Sequence, residues 1–278
     1  KTKNIMTLNC RGKLVDLKIP KIMGILNITP DSFYDGGKYN SIEKSIKQCE
    51  KLIVEGSTFI DVGAVSTKPG ASQLSLETER KRLLPVFESL LKFFPKCMFS
   101  IDTFRHEIAE ETLKMGATII NDVSGGDFSK KMYNIVGKFD SPYVLTHRKG
   151  KSKIMQNNPK YKDVTTEVHF ELLKKLNMAK ESGINDVIID VGFGFGKTIQ
   201  DNYKLLKNLD LFQSLDCAVL TGISRKSMIW KYLNTSPEKS LNGTTFLHAF
   251  ALQNGSKILR VHDVKNAKEC IDLLQALS

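Results

Sequence analysis

Ser100-Ile101-Asp102-Thr103-Phe104-Arg105-His106-Glu107-Ile108-Ala109-Glu110-Glu111-Thr112-Leu113-Lys114-Met115-Gly116-Ala117-Thr118-Ile119-Ile120-Asn121 decides the fold. Two short apolar runs, each ending on a polar residue able to do chemistry, flank a segment of helical spacing from Arg105 to Met115. The same unit recurs along the chain. Its other strand ends are Ile25-Leu26-Asn27, Phe59-Ile60-Asp61, Val144-Leu145-Thr146-His147, Ile188-Ile189-Asp190, Val219-Leu220-Thr221 leading to Ser224, and Leu259-Arg260-Val261-His262. Eight strand-then-helix units in series predict an α/β chain folded as one (β/α)8 TIM barrel. The C-terminal strand ends of such a barrel meet on one face, so residues far apart in sequence compose a single site.

Outward from this pattern, Thr7 to Leu17 holds two short strands about Gly12, predicting an N-terminal β-hairpin (residues 1–20) that caps the bottom of the barrel (residues 21–278). Helical spacing is predicted for Ser41–Glu55, Leu76–Phe94, Arg105–Met115, Val164–Ser182, Pro237–Asn254 and Val264–Leu277, and is weakest after the fourth and sixth barrel strands. The 278 residues, 41% hydrophobic and 26% charged, suit one such domain with a sizeable core. No apolar run reaches the roughly 18 residues of a membrane span, and no charged-then-apolar leader opens the chain, so a cytoplasmic protein is expected. Cys10, Cys49, Cys97, Cys217 and Cys270 are odd in number and include no Cys-x-x-Cys pair, which argues for reduced thiols rather than a disulfide scaffold or zinc site.

The formal net charge is +11, but 34 of the 41 basic residues are lysines spread over every helix. That distribution reads as a solvated surface rather than a nucleic-acid stripe. The densest basic run, His147-Arg148-Lys149-Gly150-Lys151-Ser152-Lys153, is expected to form a loop on the active face. Gly192-Phe193-Gly194-Phe195-Gly196-Lys197-Thr198 fails as a P-loop because Val191 stands where the first glycine is needed, and as a dinucleotide fingerprint because Lys197 occupies the third. His106-Glu107-Ile108-Ala109-Glu110 lacks the second histidine of a zinc-protease helix. The glycines are instead expected to form a tight loop carrying backbone close to a ligand.

Two loops rich in turn formers, Thr29 to Gly37 and Ser66 to Ala71, leave neighbouring strands on the active face and are expected to act as a lid. Asp102, Asn121 and Asp190 offer two acids and an amide, a set suited to the donor and acceptor edges of a flat nitrogenous ring. Arg260 and His262 end the last strand, where such barrels often bind phosphate. Of the neighbours Arg225 and Lys226, the arginine is expected to ion-pair within the wall while Lys226 points inward.

These residues resemble dihydropteroate synthases. The resemblance rests on Gly24 to Phe33, Asp61-Val62-Gly63 with Ser66 to Ala71, Ser100 to Thr103, Ile120-Asn121-Asp122, Asp190 with Gly192 to Lys197, Ser224 to Ser227 and Arg260 to Asp263, in the family's order from about Lys21 onward. It implies the reaction in which p-aminobenzoate displaces diphosphate from 6-hydroxymethyl-7,8-dihydropterin diphosphate. By position, Asp102, Asn121, Asp190, Lys226 and Arg260 would hold the pterin. Asn27, Arg260 and His262 would bind diphosphate, with Asn27 also a ligand of the Mg2+ that the diphosphate carries. Phe33, Thr67, Lys68, Pro69, Phe195, Lys226 and Ser227 would surround p-aminobenzoate, and Asp31 would help order the site. The implied chemistry is dissociative, with Asp102 and Asp190 favouring a pterin cation and closed loops excluding water.

The chain departs from the family pattern in having Lys68 for the usual arginine, Thr146 for the usual methionine and Val191 for the usual proline. Lysine keeps the charge but loses the planar fork, so Lys68→Arg tests whether that side chain belongs to the aminobenzoate pocket. Sulfonamides, as mimics of p-aminobenzoate, are expected to compete. The resemblance also implies a homodimer through late helices, with Phe246, Phe250 and Leu252 available to core or interface. Asp61 is read as support for the second loop, and His147 is left without a role. Two rival readings are a methyltetrahydrofolate-binding domain of corrinoid methyltransferases, which would not need the two loops or the basic final strand, and a non-catalytic pterin binder on the same scaffold.

Overall fold

A computed structural model of the chain describes residues 6–28, 38–64, 74–150 and 159–277. Two short strands, β1 (Thr7–Cys10) and β2 (Lys13–Asp16), form an antiparallel hairpin whose turn places Arg11 and Gly12 at positive φ. The barrel follows as β3 (Lys21–Asn27), α1 (Lys38–Val54), β4 (Phe59–Gly63), α2 (Leu76–Phe93), β5 (Met98–Asp102), α3 (His106–Met115), β6 (Ile119–Asp122), α4 (Lys131–Lys138) and β7 (Tyr143–Thr146). The second half comprises α5 (Val164–Glu181), β8 (Val187–Asp190), α6 (Ile199–Lys207), a 3-10 turn at Leu209–Leu215, β9 (Ala218–Thr221), α7 (Ser227–Trp230), α8 (Leu241–Gln253), β10 (Ile258–Val261) and α9 (Val264–Ala276). Strands β3 to β10 pair in parallel in sequence order, and β10 closes on β3, giving the predicted eight-stranded barrel.

Strand alternation separates two apolar clusters, because neighbouring side chains of a strand point to opposite faces. Ile120, Tyr143, Leu145, Ile189 and Val219 belong to the cluster between barrel and helices. Met23, Phe59, Ile119, Val144, Ile188, Leu220 and Ile258 pack inside the barrel, where the hairpin residues Leu8, Cys10, Val15 and Leu17 join them. The hairpin therefore plugs the N-terminal end, leaving the other end for the site.

The helices lie within a few residues of their predicted bounds, and the two weak predictions become α4, of eight residues, and α6. Thr198 and Asp201 form a reciprocal capping box at the start of α6, a local signal that apolar spacing does not capture. Helix α8 begins at Leu241 rather than Pro237, because Pro237 to Ser240 closes a separate turn through Ser240 N–H and Oγ to the Pro237 carbonyl. Leu252 is buried in the core and Phe250 packs against it, so of the three late-helix candidates only Phe246 is left exposed. Among the described residues no helix is long and apolar enough to cross a membrane.

Candidate active site

The polar strand ends sit two residues beyond the inner apolar cluster and on the same face of each strand. Phe59 leads to Asp61, Ile119 to Asn121, Val144 to Thr146, Ile188 to Asp190 and Ile258 to Arg260. Met98 leads through Ser100 to Asp102. One alternation thus fills the lower barrel with hydrocarbon and lines its upper end with charge.

Asp61, fully buried, is the hub of this polar end. Its Oδ1 accepts from Ser100 Oγ at 2.6 Å, and its Oδ2 accepts from Asn121 Nδ2 at 2.9 Å and Arg260 Nε at 2.7 Å. Arg260 Nη2 donates to Asp102 Oδ2 at 2.7 Å, so one guanidinium bridges two buried carboxylates. Burial raises the Asp102 carboxyl to about 7; Arg260 opposes the shift and Asp61 adds to it. Burial also works against the Arg260 charge, but Asp61 and Asp102 outweigh it and hold the guanidinium above its ordinary value. The second loop that Asp61 was expected to support lies outside the described residues; among those described, the acceptor oxygens of Asp61 hold Asn121 and Arg260 in place. At the described edge of that loop, Arg105 donates instead to the Leu74 carbonyl and to buried Glu79, which also accepts from Thr103 Oγ1 at 2.8 Å.

On the opposite wall, Asp190 Oδ1 accepts Gly192 N–H at 2.8 Å, and burial raises its carboxyl above the ordinary range. Lys226 Nζ donates to the Phe193 carbonyl at 2.5 Å and lies 4.9 Å from the centre of the Phe195 ring. Burial lowers this lysine to about 8, the nearby Asp190 notwithstanding. Gly222 shows how closely these groups converge: a Cβ placed on it would be 3.8 Å from Asp190 Oδ2, 3.9 Å from Lys226 Nζ and 4.0 Å from Arg260 Cβ. Lys226 points inward as expected, and Arg225 turns outward to a two-pronged pair with Asp263, both contacts 2.8 Å. Ser227 opens α7 directly after Lys226.

His262 stands exposed on the rim, with Nδ1 3.0 Å from Ser224 Oγ. The same hydroxyl accepts the His262 backbone N–H at 3.2 Å, so Ser224 holds the ring and the backbone of His262 together. Partial enclosure and the cations Arg260, Arg225 and Lys226 push the imidazole down to about 4, making it neutral at pH 7 rather than a ready-made cation. Asn27 ends β3 exposed on the same rim. Asp31, Phe33, Thr67, Lys68 and Pro69 lie outside the described residues.

His147, unassigned from sequence, opens the connection directly after β7 and is buried. Its Nε2 is 3.0 Å from Glu171 Oε2, and its Nδ1 accepts from Lys197 Nζ at 2.9 Å. Sequence reading passed over Lys197 and Ser100; the residue after a glycine-rich loop and an inner-face serine one alternation below an acid are the signals that could have flagged them.

The sequence matches the pterin binding enzyme family model over residues 23–262. It is 39% identical to the dihydropteroate synthase of Escherichia coli over 273 residues, covering 98% of this chain and 96% of that one. The structure resembles Xanthomonas albilineans dihydropteroate synthase solved with 4-aminobenzoic acid (TM-score 0.90, 36% identity, 99% and 98% of the two chains). It also resembles the Yersinia pestis enzyme in a sulfonamide drug complex (TM-score 0.91, 35% identity, 98% and 99%). With its barrel closed, its inner-face acids gathered on Arg260 and relatives matched over nearly their full length, the chain belongs to the dihydropteroate synthase family of pterin-binding enzymes.

Proposed function

We propose that the C-terminal face of the barrel joins 6-hydroxymethyl-7,8-dihydropterin diphosphate to p-aminobenzoate, giving 7,8-dihydropteroate and diphosphate. The observation that carries this reading is the convergence of Asp190, Lys226 and Arg260 on one point above Gly222, with Asp102 bonded to the same arginine directly and Asn121 tied to it through Asp61. A flat ring seated there meets acceptors from Asp102 and Asp190, an amide from Asn121 and an ammonium from Lys226, with Arg260 against its face. Each buried acid has a cationic or hydrogen-bonding neighbour, which lets the pocket hold charge without water.

In the proposed reaction the methylene carbon–oxygen bond breaks, and diphosphate leaves with the bonding electrons. Asp102 and Asp190 favour the resulting pterin cation; the aniline nitrogen then forms the new carbon–nitrogen bond and loses a proton to water. Arg260 and His262 face the leaving phosphates. His262, neutral in the free protein, gains affinity for a proton as the anion arrives, since a nearby negative charge favours its protonated form. Phe195, Lys226 and Ser227, with Phe33, Thr67, Lys68 and Pro69, form the p-aminobenzoate side, and Asp31 helps order it.

Mg2+ belongs to this scheme as part of the diphosphate substrate. Among the described residues no three histidine, cysteine or acidic side chains gather as a metal cage. A single Asn27 amide oxygen on the rim fits an ion that takes its remaining ligands from phosphate and water, the usual habit of Mg2+. The exposed Phe246 of α8 and Leu233 in the turn after α7 support a homodimer through this late-helix face in a cytoplasmic enzyme. The deciding experiment measures diphosphate release with Mg2+ and each substrate alone or together. Release that needs p-aminobenzoate, with dihydropteroate formed in equal amount, is the expected result; folded protein that releases none overturns the reading.

A further inference from the structure

Lys197 is 3% exposed and its Nζ donates to three acceptors: His147 Nδ1 at 2.9 Å, the Gly192 carbonyl at 2.9 Å and the Phe195 carbonyl at 3.1 Å. Burial lowers Lys197 to about 7, Asp190 opposing; in its protonated form it ties together both ends of the Gly192–Phe195 turn from beneath. That turn has little freedom to sit elsewhere. Gly192 has φ +72°, and a Cβ there would lie 1.7 Å from the His147 carbonyl oxygen; Gly196 has φ +65° and would meet the Lys149 carbonyl oxygen at 2.2 Å. On its other side the turn touches the site directly, through Gly192 N–H to Asp190, the Phe193 carbonyl to Lys226 Nζ, and the Phe195 ring beneath that same ammonium. Glu171 holds the far nitrogen of His147 and so fixes which ring nitrogen faces Lys197.

We propose that Lys197, oriented by His147 and Glu171, is a positioning residue that sets the glycine turn and through it the placement of Phe195 against p-aminobenzoate. The inference rests on the reading of Phe195 and Lys226 as the p-aminobenzoate side of the site. Lys197 itself touches no substrate in this scheme. Its ammonium replaces the solvent that two carbonyls and an imidazole would otherwise need, and the turn keeps one shape because those three acceptors share one donor.

The test is a double-mutant cycle in which Lys197→Met, close in volume but without donors, is made in the wild-type and Phe195→Ala backgrounds. Expected is a rise of about tenfold in the KM for p-aminobenzoate in the wild-type background and less than about threefold once Phe195 is gone, because residues acting through one another are non-additive. Lys197→Arg, which keeps the charge and donors, is expected to recover part of the lost affinity. An equal rise in both backgrounds, or no rise in the wild-type background, overturns the proposal. If Lys197→Met fails to fold, Glu171→Gln at the half-exposed end of the chain of contacts replaces it, with a rise of about threefold expected and an unchanged KM refuting the proposal. Wild-type turnover measured alongside separates failure of this inference from failure of the functional reading.

Discussion

Replacing Asp61 with asparagine removes one negative charge and one acceptor oxygen from a carboxylate that accepts from Ser100, Asn121 and Arg260 within 2.6 to 2.9 Å. The new amide can keep its oxygen toward Asn121 and Arg260 and turn its NH2 to the Ser100 hydroxyl, which accepts, so the loss is the charge that pairs with Arg260. Breaking a buried ion pair from one side costs about 3–5 kcal/mol, and because Arg260 keeps Asp102 the lower end, about 3 kcal/mol, applies. For a chain of this length the unfolding entropy is roughly 0.6 kcal/mol per degree, so melting should fall by about 5 °C. If the same 3 kcal/mol is withheld from the transition state because Arg260 swings away from the phosphates, kcat/KM for the dihydropterin diphosphate falls about 100-fold. Scanning calorimetry and initial rates of diphosphate release measure the two effects. A melting point within about 1 °C of wild type together with kcat/KM within about threefold would refute the reasoning, since Arg260 would then be placed by something other than Asp61.

Three further outcomes follow from the same geometry. With Asp102 raised to about 7 and required ionised, and Lys226 lowered to about 8 and required protonated, kcat/KM should fall below the first value and above the second. Lys226→Arg should remove the alkaline limb, and a profile flat from about pH 6 to 9 contradicts the assignment. The Thr146 hydroxyl is buried without a hydrogen-bond partner among the described residues, so Thr146→Val should leave stability unchanged or raise it by about 1 kcal/mol in denaturant unfolding, and a loss of that size would mean the hydroxyl is satisfied. Burial, reinforced by Lys197, pushes His147 down to about 4. Its folded value lies below its unfolded one, so the stability it contributes is full above about pH 6.5 and lost as pH falls toward 4. NMR should find it neutral at pH 7 with the proton on Nε2, and titration near 6.5 or an Nδ1 proton would count against the Lys197 contact.

The strands, their order and the face that bears the site were legible because each barrel strand repeats the same local rule, apolar residues followed by a polar end, and each helix its own spacing. Leu252 was less legible: a late-helix apolar residue satisfies core and interface patterns alike until packing buries it. The start of α8 was missed because a proline turn and a helical first turn look alike when only apolar spacing is read.

Asp61 and His147 mark the boundary between what each level decides. The chain alone determined an eightfold barrel and one composite face, with Asp102, Asn121, Asp190 and Arg260 on the inner side of their strands, since local alternation dictates which side chains turn inward. Only the tertiary structure decided that Asp61 grips Arg260 across 199 residues of sequence and that Lys197 reaches His147 across 50. Hydrogen bonds act over about 3 Å in space whatever the separation along the chain, so a carboxylate's partners are chosen by barrel closure and register and leave no trace in its sequence neighbours.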